Sequence, residues 1–66
     1  MTFGEKIKIA RLKLFLSQED MAKELGVAFS TVNRWERGHH NKPTFKAQAD
    51  FDKLCRKHNI DFKDGE

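Results

Sequence analysis

Hydrophobic positions recur along this chain at intervals of three and four residues, and no stretch alternates with a period of two. Phe3, Ile7, Ala10 and Leu14 make one stripe, widened by Ile9 and Leu12, at the spacing of a helix face. Thr2-Phe3-Gly4-Glu5 in front of it fits a capping box, in which the Thr hydroxyl and the Glu carboxylate each meet a free backbone N–H. Ser17-Gln18-Glu19-Asp20 opens a second short helix in the same way, with Asp in the Glu position, and Leu16 and Met21 are spaced for a hydrophobic staple. Met21, Ala22 and Leu25 line its face, and Gly26 stops it, because glycine takes the left-handed conformation cheaply. A third helix is predicted from about Phe29 to Arg37, with Gly38 as its stop. Val32, Trp35 and Glu36 share one of its faces; Ser30, Asn33, Arg34 and Arg37 share the opposite one, with Phe29 near the leading end. Ala28 offers that helix no capping acceptor, at a cost of about 1 kcal/mol relative to Ser or Thr.

The rest of the chain continues the pattern. Pro43 holds Lys42 extended, and Thr44 caps a fourth helix running to about His58. Ala47, Phe51, Leu54, Cys55 and His58 line one side of it, with Phe45 and Ala49 as a shoulder. Ile60 and Phe62 then either tuck against the body or await a partner. The expectation is an all-α domain over residues 1–58 followed by a short tail, 59–66.

Length and composition narrow what such a bundle can be. Sixty-six residues with 38% hydrophobic content exclude a doubly wound sheet, a barrel or a second domain. Six Phe and one Trp are too many for a disordered polar segment. The formal net charge is +3, unevenly spread: residues 1–18 carry four bases and one acid, 19–26 one base and three acids, and 27–48 four bases and one acid. Basic segments flanking an acidic patch suggest a polarised surface with an anionic partner on one side. The lone Cys55 cannot form an internal disulfide and suits a reducing compartment. Strictly apolar stretches run no longer than three residues, as in Leu14-Phe15-Leu16, far short of a signal peptide or membrane span, so a cytoplasmic protein with no membrane partner is expected.

Two short helices joined by about four residues, with a glycine in the joint, form a helix-turn-helix. Gln18 to Arg37 has the parts: Ala22 is small where the helices cross, Gly26 makes the turn, and Val32 and Trp35 anchor the second helix inward. With these residues in view, the chain resembles the Cro/C1-type helix-turn-helix domains of phage repressors and bacterial regulators, the XRE family. The resemblance covers residues 3 to about 55 and rests on Arg11, Leu16-Ser17-Gln18-Glu19, Ala22, Leu25-Gly26-Val27, Ser30-Thr31-Val32, Trp35-Glu36-Arg37-Gly38 and Lys42-Pro43. It implies a lambda-repressor-like bundle of four to five short helices whose third helix enters the DNA major groove. It also implies an ion pair between Arg11 and Glu36, a phosphate contact from Gln18, and a homodimer on a palindromic operator. Two positions depart from the family pattern. Phe15 stands where the first helix ends in Gly, which calls for a strained positive φ, and Ala28 replaces a Ser or Thr cap.

The outward residues of the third helix suit base recognition on chemical grounds. Arg34 can bond guanine O6 and N7 together, Asn33 can pair with adenine N6 and N7, Ser30 is a small donor or acceptor, and Phe29 can pack on a thymine methyl. Backbone contacts are expected from Gln18 and Thr44 at helix N-termini and from Arg37, His40, Asn41, Lys42 and Lys46 around the exit of the third helix. Glu36 beside Trp35 on the inward face needs a cationic partner, since an unpaired buried carboxylate is costly. A dimer is expected because one short helix reads only about four base pairs.

Other classes weigh less. Cys55 and His58 form an i, i+3 pair, and closing a metal site would require His39 and His40 to fold back onto the fourth helix. No metal, cofactor or catalytic residue is therefore expected, and the chain is not read as an enzyme. The alternative function is a helix-turn-helix used for protein–protein interaction, or as the targeting domain of a larger complex. That version would be acidic or apolar on the outer face of the third helix, where this chain has Arg34 and Arg37.

Overall fold

A computed structural model describes residues 1–38 and 42–62. Within them lie four helices and no strand: α1 (Phe3–Lys13), α2 (Gln18–Leu25), α3 (Phe29–Glu36) and α4 (Phe45–Lys57). Three of the four begin on a hydroxyl cap. Glu5 N donates to Thr2 Oγ1 at 3.1 Å, and Thr2 N donates to the Glu5 carboxylate at 2.8 Å. Asp20 N donates to Ser17 Oγ at 3.0 Å, with the return bond from Ser17 N to Asp20 at 3.4 Å. Ala47 N donates to Thr44 Oγ1 at 3.1 Å. Each bond satisfies a donor that the helix itself leaves open.

The apolar stripes meet in one core. Ile7 and Ala10 of α1, Met21, Ala22 and Leu25 of α2, Val32 and Trp35 of α3, and Ala47, Phe51, Leu54 and Cys55 of α4 are all buried. Leu14, Leu16 and Val27, at the two turns, pack on this cluster from its edge. Two ring contacts run through its centre: Trp35 meets Phe3 edge-on at 5.0 Å, and Phe3 meets Phe51 at 5.3 Å. Burial of so many large side chains in so short a chain is what allows it to do without a disulfide.

α1 crosses α3 unusually closely. Gly4 is buried in the first turn of α1, and a Cβ built there would fall on the backbone carbonyl of Trp35. Glycine is required because the two backbones leave no space for a methyl. The sequence pattern does not reveal this, since Gly4 reads there as a filler inside the capping box.

The described part of the tail, residues 59–62, closes against the body rather than standing free. Asn59 takes φ +56, Ile60 N returns to Cys55 O at 2.8 Å, and Ile60 is buried. Phe62 follows and stacks on Phe51 with centroids 6.0 Å apart. Three side chains expected at the core edge are instead in solvent. Phe45, the expected shoulder of α4, is 92% exposed, because it occupies the first helical position, ahead of the stretch that faces the body. Leu12 is 55% exposed on the outer side of α1, and His58 is exposed as the C-cap of α4.

Candidate nucleic-acid interface

α3 starts without side-chain help. Ala28 has extended backbone geometry and makes no capping bond. The turn before it supplies the support: Gly26 adopts φ +67, Val27 N donates to Ala22 O at 3.0 Å, and Val27 packs on the core. With the bond from Gly26 N to Lys23 O at 3.3 Å, this makes the double closure of a Schellman-type helix end, which fixes the direction in which the chain leaves α2. Val32 and Trp35, buried one turn apart, then fix the rotation of α3 about its axis.

That rotation divides the helix. Ser30, Arg34 and Arg37 are exposed on its outer side, and Phe29 at the leading end is half-exposed. Arg34 makes no hydrogen bond or ion pair with any described residue. Ile60 and Phe62 lie against α4 and α1, with the Lys6 ammonium 5.8 Å from the Phe62 ring, so this part of the tail leaves the outer face of α3 uncovered.

A polar relay runs along the margin between the two faces. Arg11 donates from Nε to Glu36 Oε2 at 2.8 Å, from Nη2 to Glu36 Oε1 at 3.0 Å, and from Nη1 to the Leu16 carbonyl at 3.1 Å. Gln18 Nε2 donates to Glu36 Oε1 at 3.1 Å, and Asn33 Nδ2 donates to Gln18 Oε1 at 3.1 Å. The Glu36 carboxylate, 6% exposed, is thus held by a two-pronged guanidinium and by an amide. The bond from Arg11 to Glu36, reinforced by its charge, raises the guanidinium pKa further above its ordinary value, against the lowering effect of burial. The relay joins α1, the turn after it, the first residue of α2 and the last turn of α3.

Gln18 and Asn33 sit differently from a simple outward array. Both are half-buried, and each uses amide groups on a neighbour inside the chain. Each side-chain amide still carries a second N–H beyond the one engaged. Sequence reasoning places these two residues at the interface but not in contact with each other. No sequence signal pairs them, because the contact forms only where the first turn of α2 lies against α3.

Around the exit of α3, Arg37, Lys42 and Thr44 are exposed. Thr44 Oγ1 serves as the cap of α4, and Lys46 donates to Asp50 at 2.8 Å. His40 and Asn41 lie outside the described residues. Cys55 is buried, and its surroundings push the thiol pKa up, burial first and the nearby Asp52 charge second. Among the described residues no group of three or more His, Cys, Asp or Glu is arranged to hold a metal ion, and no helix is long and apolar enough to cross a membrane.

A family model described as helix-turn-helix matches residues 7–47, more than half of the chain, from mid-α1 to the first turn of α4. The chain belongs to the Cro/C1-type helix-turn-helix family. No curated protein and no solved structure matches it. Membership makes this helix-turn-helix protein a DNA-binding regulator in general terms, in a family that is not typically enzymatic. α2, Gly26 and α3 all fall within the matched span.

Proposed function

We propose that this helix-turn-helix protein binds double-stranded DNA sequence-specifically by seating α3 in the major groove, and acts as a small transcriptional regulator of the repressor or antitoxin type. The observation that carries the proposal is the division of α3, with Val32 and Trp35 rooted in the core and Ser30, Arg34 and Arg37 standing clear on the other side. An α-helix with short polar and guanidinium side chains on a free face fits the width of the major groove and its donor–acceptor pattern.

In this proposal Arg34 bonds a guanine edge, Ser30 a neighbouring base, and Phe29 a thymine methyl. Asn33 reads adenine with its remaining amide groups while Gln18 holds it in place, and Gln18 turns its second N–H to a phosphate. Arg37, His40, Asn41, Lys42, Thr44 and Lys46 follow the DNA backbone, with Lys46 exchanging Asp50 for a phosphate oxygen. Two copies on a palindromic operator extend recognition beyond the few base pairs one helix covers.

Selection of bound duplexes from a random library, followed by fluorescence anisotropy on the selected site, tests this. Arg34→Ala is expected to lose roughly 1–3 kcal/mol of discrimination at one base pair while still melting within a few degrees of the parent. Affinity is expected to fall with salt at a log–log slope near −4 to −5 per monomer, the value for about five neutralised phosphates. A chain that enriches no sequence and retains no duplex at low salt would overturn the proposal.

A further inference from the structure

Away from α3, a trough runs between α2 and α4. Two adjoining hollows compose it, of 360 Å³ and 260 Å³, with Glu24, Leu54 and Lys57 on the walls of both. Its α4 wall is a single face of that helix, since Lys46, Asp50, Lys53 and Lys57 follow at spacings of four, three and four. Lys23 stands on the α2 side. The floor is apolar, with Leu25 and Leu54 beneath and half-buried Leu14 and Leu16 at one end. No residue of α3 lines either hollow.

Charge on the rim does not cancel. Lys46 is taken up by Asp50 at 2.8 Å, whereas Lys23, Lys53 and Lys57 make no ion pair or hydrogen bond with any described residue. Three unpaired ammonium groups therefore face a single unpaired carboxylate, Glu24, around a floor of leucines. A phosphate backbone satisfies the lysines and leaves the leucines unused. An acidic amphipathic segment uses both. The eleven helical steps from Lys46 to Lys57 span about 16 Å of helix rise, which accommodates about three turns of a helix laid alongside.

We propose that this trough docks an acidic amphipathic helix from a partner protein, with its apolar side chains on Leu16 and Leu54 and its carboxylates toward Lys23, Lys53 and Lys57. The binding mode is a helix in a groove, in which apolar anchors supply affinity and the charged rim supplies orientation and partner choice. Because α3 takes no part and the partner's carboxylates go to Lys23, Lys53 and Lys57 rather than Lys46, the partner and DNA can be held together, and the proposal stands independently of how α3 reads DNA.

The test is an NMR titration of the ¹⁵N-labelled protein with a synthetic helical peptide bearing Leu and Glu on one face. A peptide with Gln in place of each Glu and a random-sequence duplex serve as separate arms. The acidic peptide is expected to shift the amide resonances of Leu14, Leu16, Lys23, Lys53 and Lys57 and to leave Ser30 and Arg34 in place. The Gln peptide is expected to bind at least about tenfold more weakly, as is the acidic peptide toward a K53E/K57E variant whose melting temperature matches the parent. Absence of shifts along the trough, or equal binding of the two peptides or of the two protein forms, overturns the proposal. So does a duplex that shifts the same lysines and displaces the peptide, which would make the trough a DNA backbone contact. A duplex bound at α3 with no peptide bound sinks the trough alone, and the reverse sinks only the DNA assignment.

Discussion

At the end of α1 the amide of Leu16 returns to the Arg11 carbonyl at 2.9 Å, and at the end of α2 the amide of Val27 returns to the Ala22 carbonyl at 3.0 Å. The residue that makes each reversal possible is left-handed, Phe15 with φ +57 in the first junction and Gly26 with φ +67 in the second. The backbones are nearly alike, yet the residues placed on them are opposites. The first junction carries a bulky side chain, 94% exposed, in a conformation that strains any residue with a Cβ, and then starts α2 on a full capping box. The second has the unstrained glycine and then starts α3 on Ala28, with no cap at all. Each junction therefore has one well-suited end and one poorly suited end, in reverse order. What differs is the outside support. Arg11 ties the first junction to α3 through the Leu16 carbonyl and Glu36, whereas the second depends on Gly26 and on the buried anchors of the helix it launches.

The comparison can be broken at several points, all followed by far-UV thermal melts. Glu36→Ala removes the tie on the first junction and strands Arg11, which is only 15% exposed. It is expected to cost about 3 kcal/mol and to lower the melting temperature by more than about 10 °C. A shift no larger than that of an exposed substitution would show that Phe15 is tolerated without the tie. Gly26→Val attacks the second junction and is expected to cost about 1–2 kcal/mol, because a β-branched residue resists the left-handed conformation. Retention of full stability there would mean that packing of Val27, and not the glycine, sets the turn.

Smaller changes sharpen the same contrast by repairing each weak end. Ala28→Ser supplies the missing cap and is expected to add about 1 kcal/mol, raising the midpoint by roughly 5 °C. Phe15→Gly relieves the strained position but loosens the unfolded chain, leaving a gain of about 0.5 kcal/mol. If the order of these two is reversed, strain at Phe15 outweighs the uncapped start of α3.

Local signals were legible in the sequence because their physics is local. Thr2, Ser17 and Thr44 announce helix starts with their own hydroxyls, and Gly26 announces a turn, whereas the positive φ of Phe15 follows only from the family resemblance, which has Gly there. The division of α3 into Val32 and Trp35 against Ser30, Arg34 and Arg37 follows from helical period alone. Features that depend on where remote segments meet were not legible. The bond between Asn33 and Gln18 joins residues fifteen positions apart, and periodicity says nothing about which amide lies opposite which. The tail left two outcomes open because Ile60 and Phe62 are equally suited to a neighbour or to the body, and only the nearness of Phe51 decides. Phe45 misleads for a related reason: an apolar residue in the first helical turn matches the stripe on a helical wheel but lies beyond the reach of the core.

Gly4 has a consequence on the opposite side of the molecule. Where two helices rest main chain on main chain, no rotamer change can adjust the gap between them, so α1 serves as a hard stop for α3. An added methyl would act as a wedge, and the exposed outer edge of α3, about one helix diameter away, would be pushed outward with it. The alignment of that edge is therefore controlled from a buried position on α1, by the smallest side chain available.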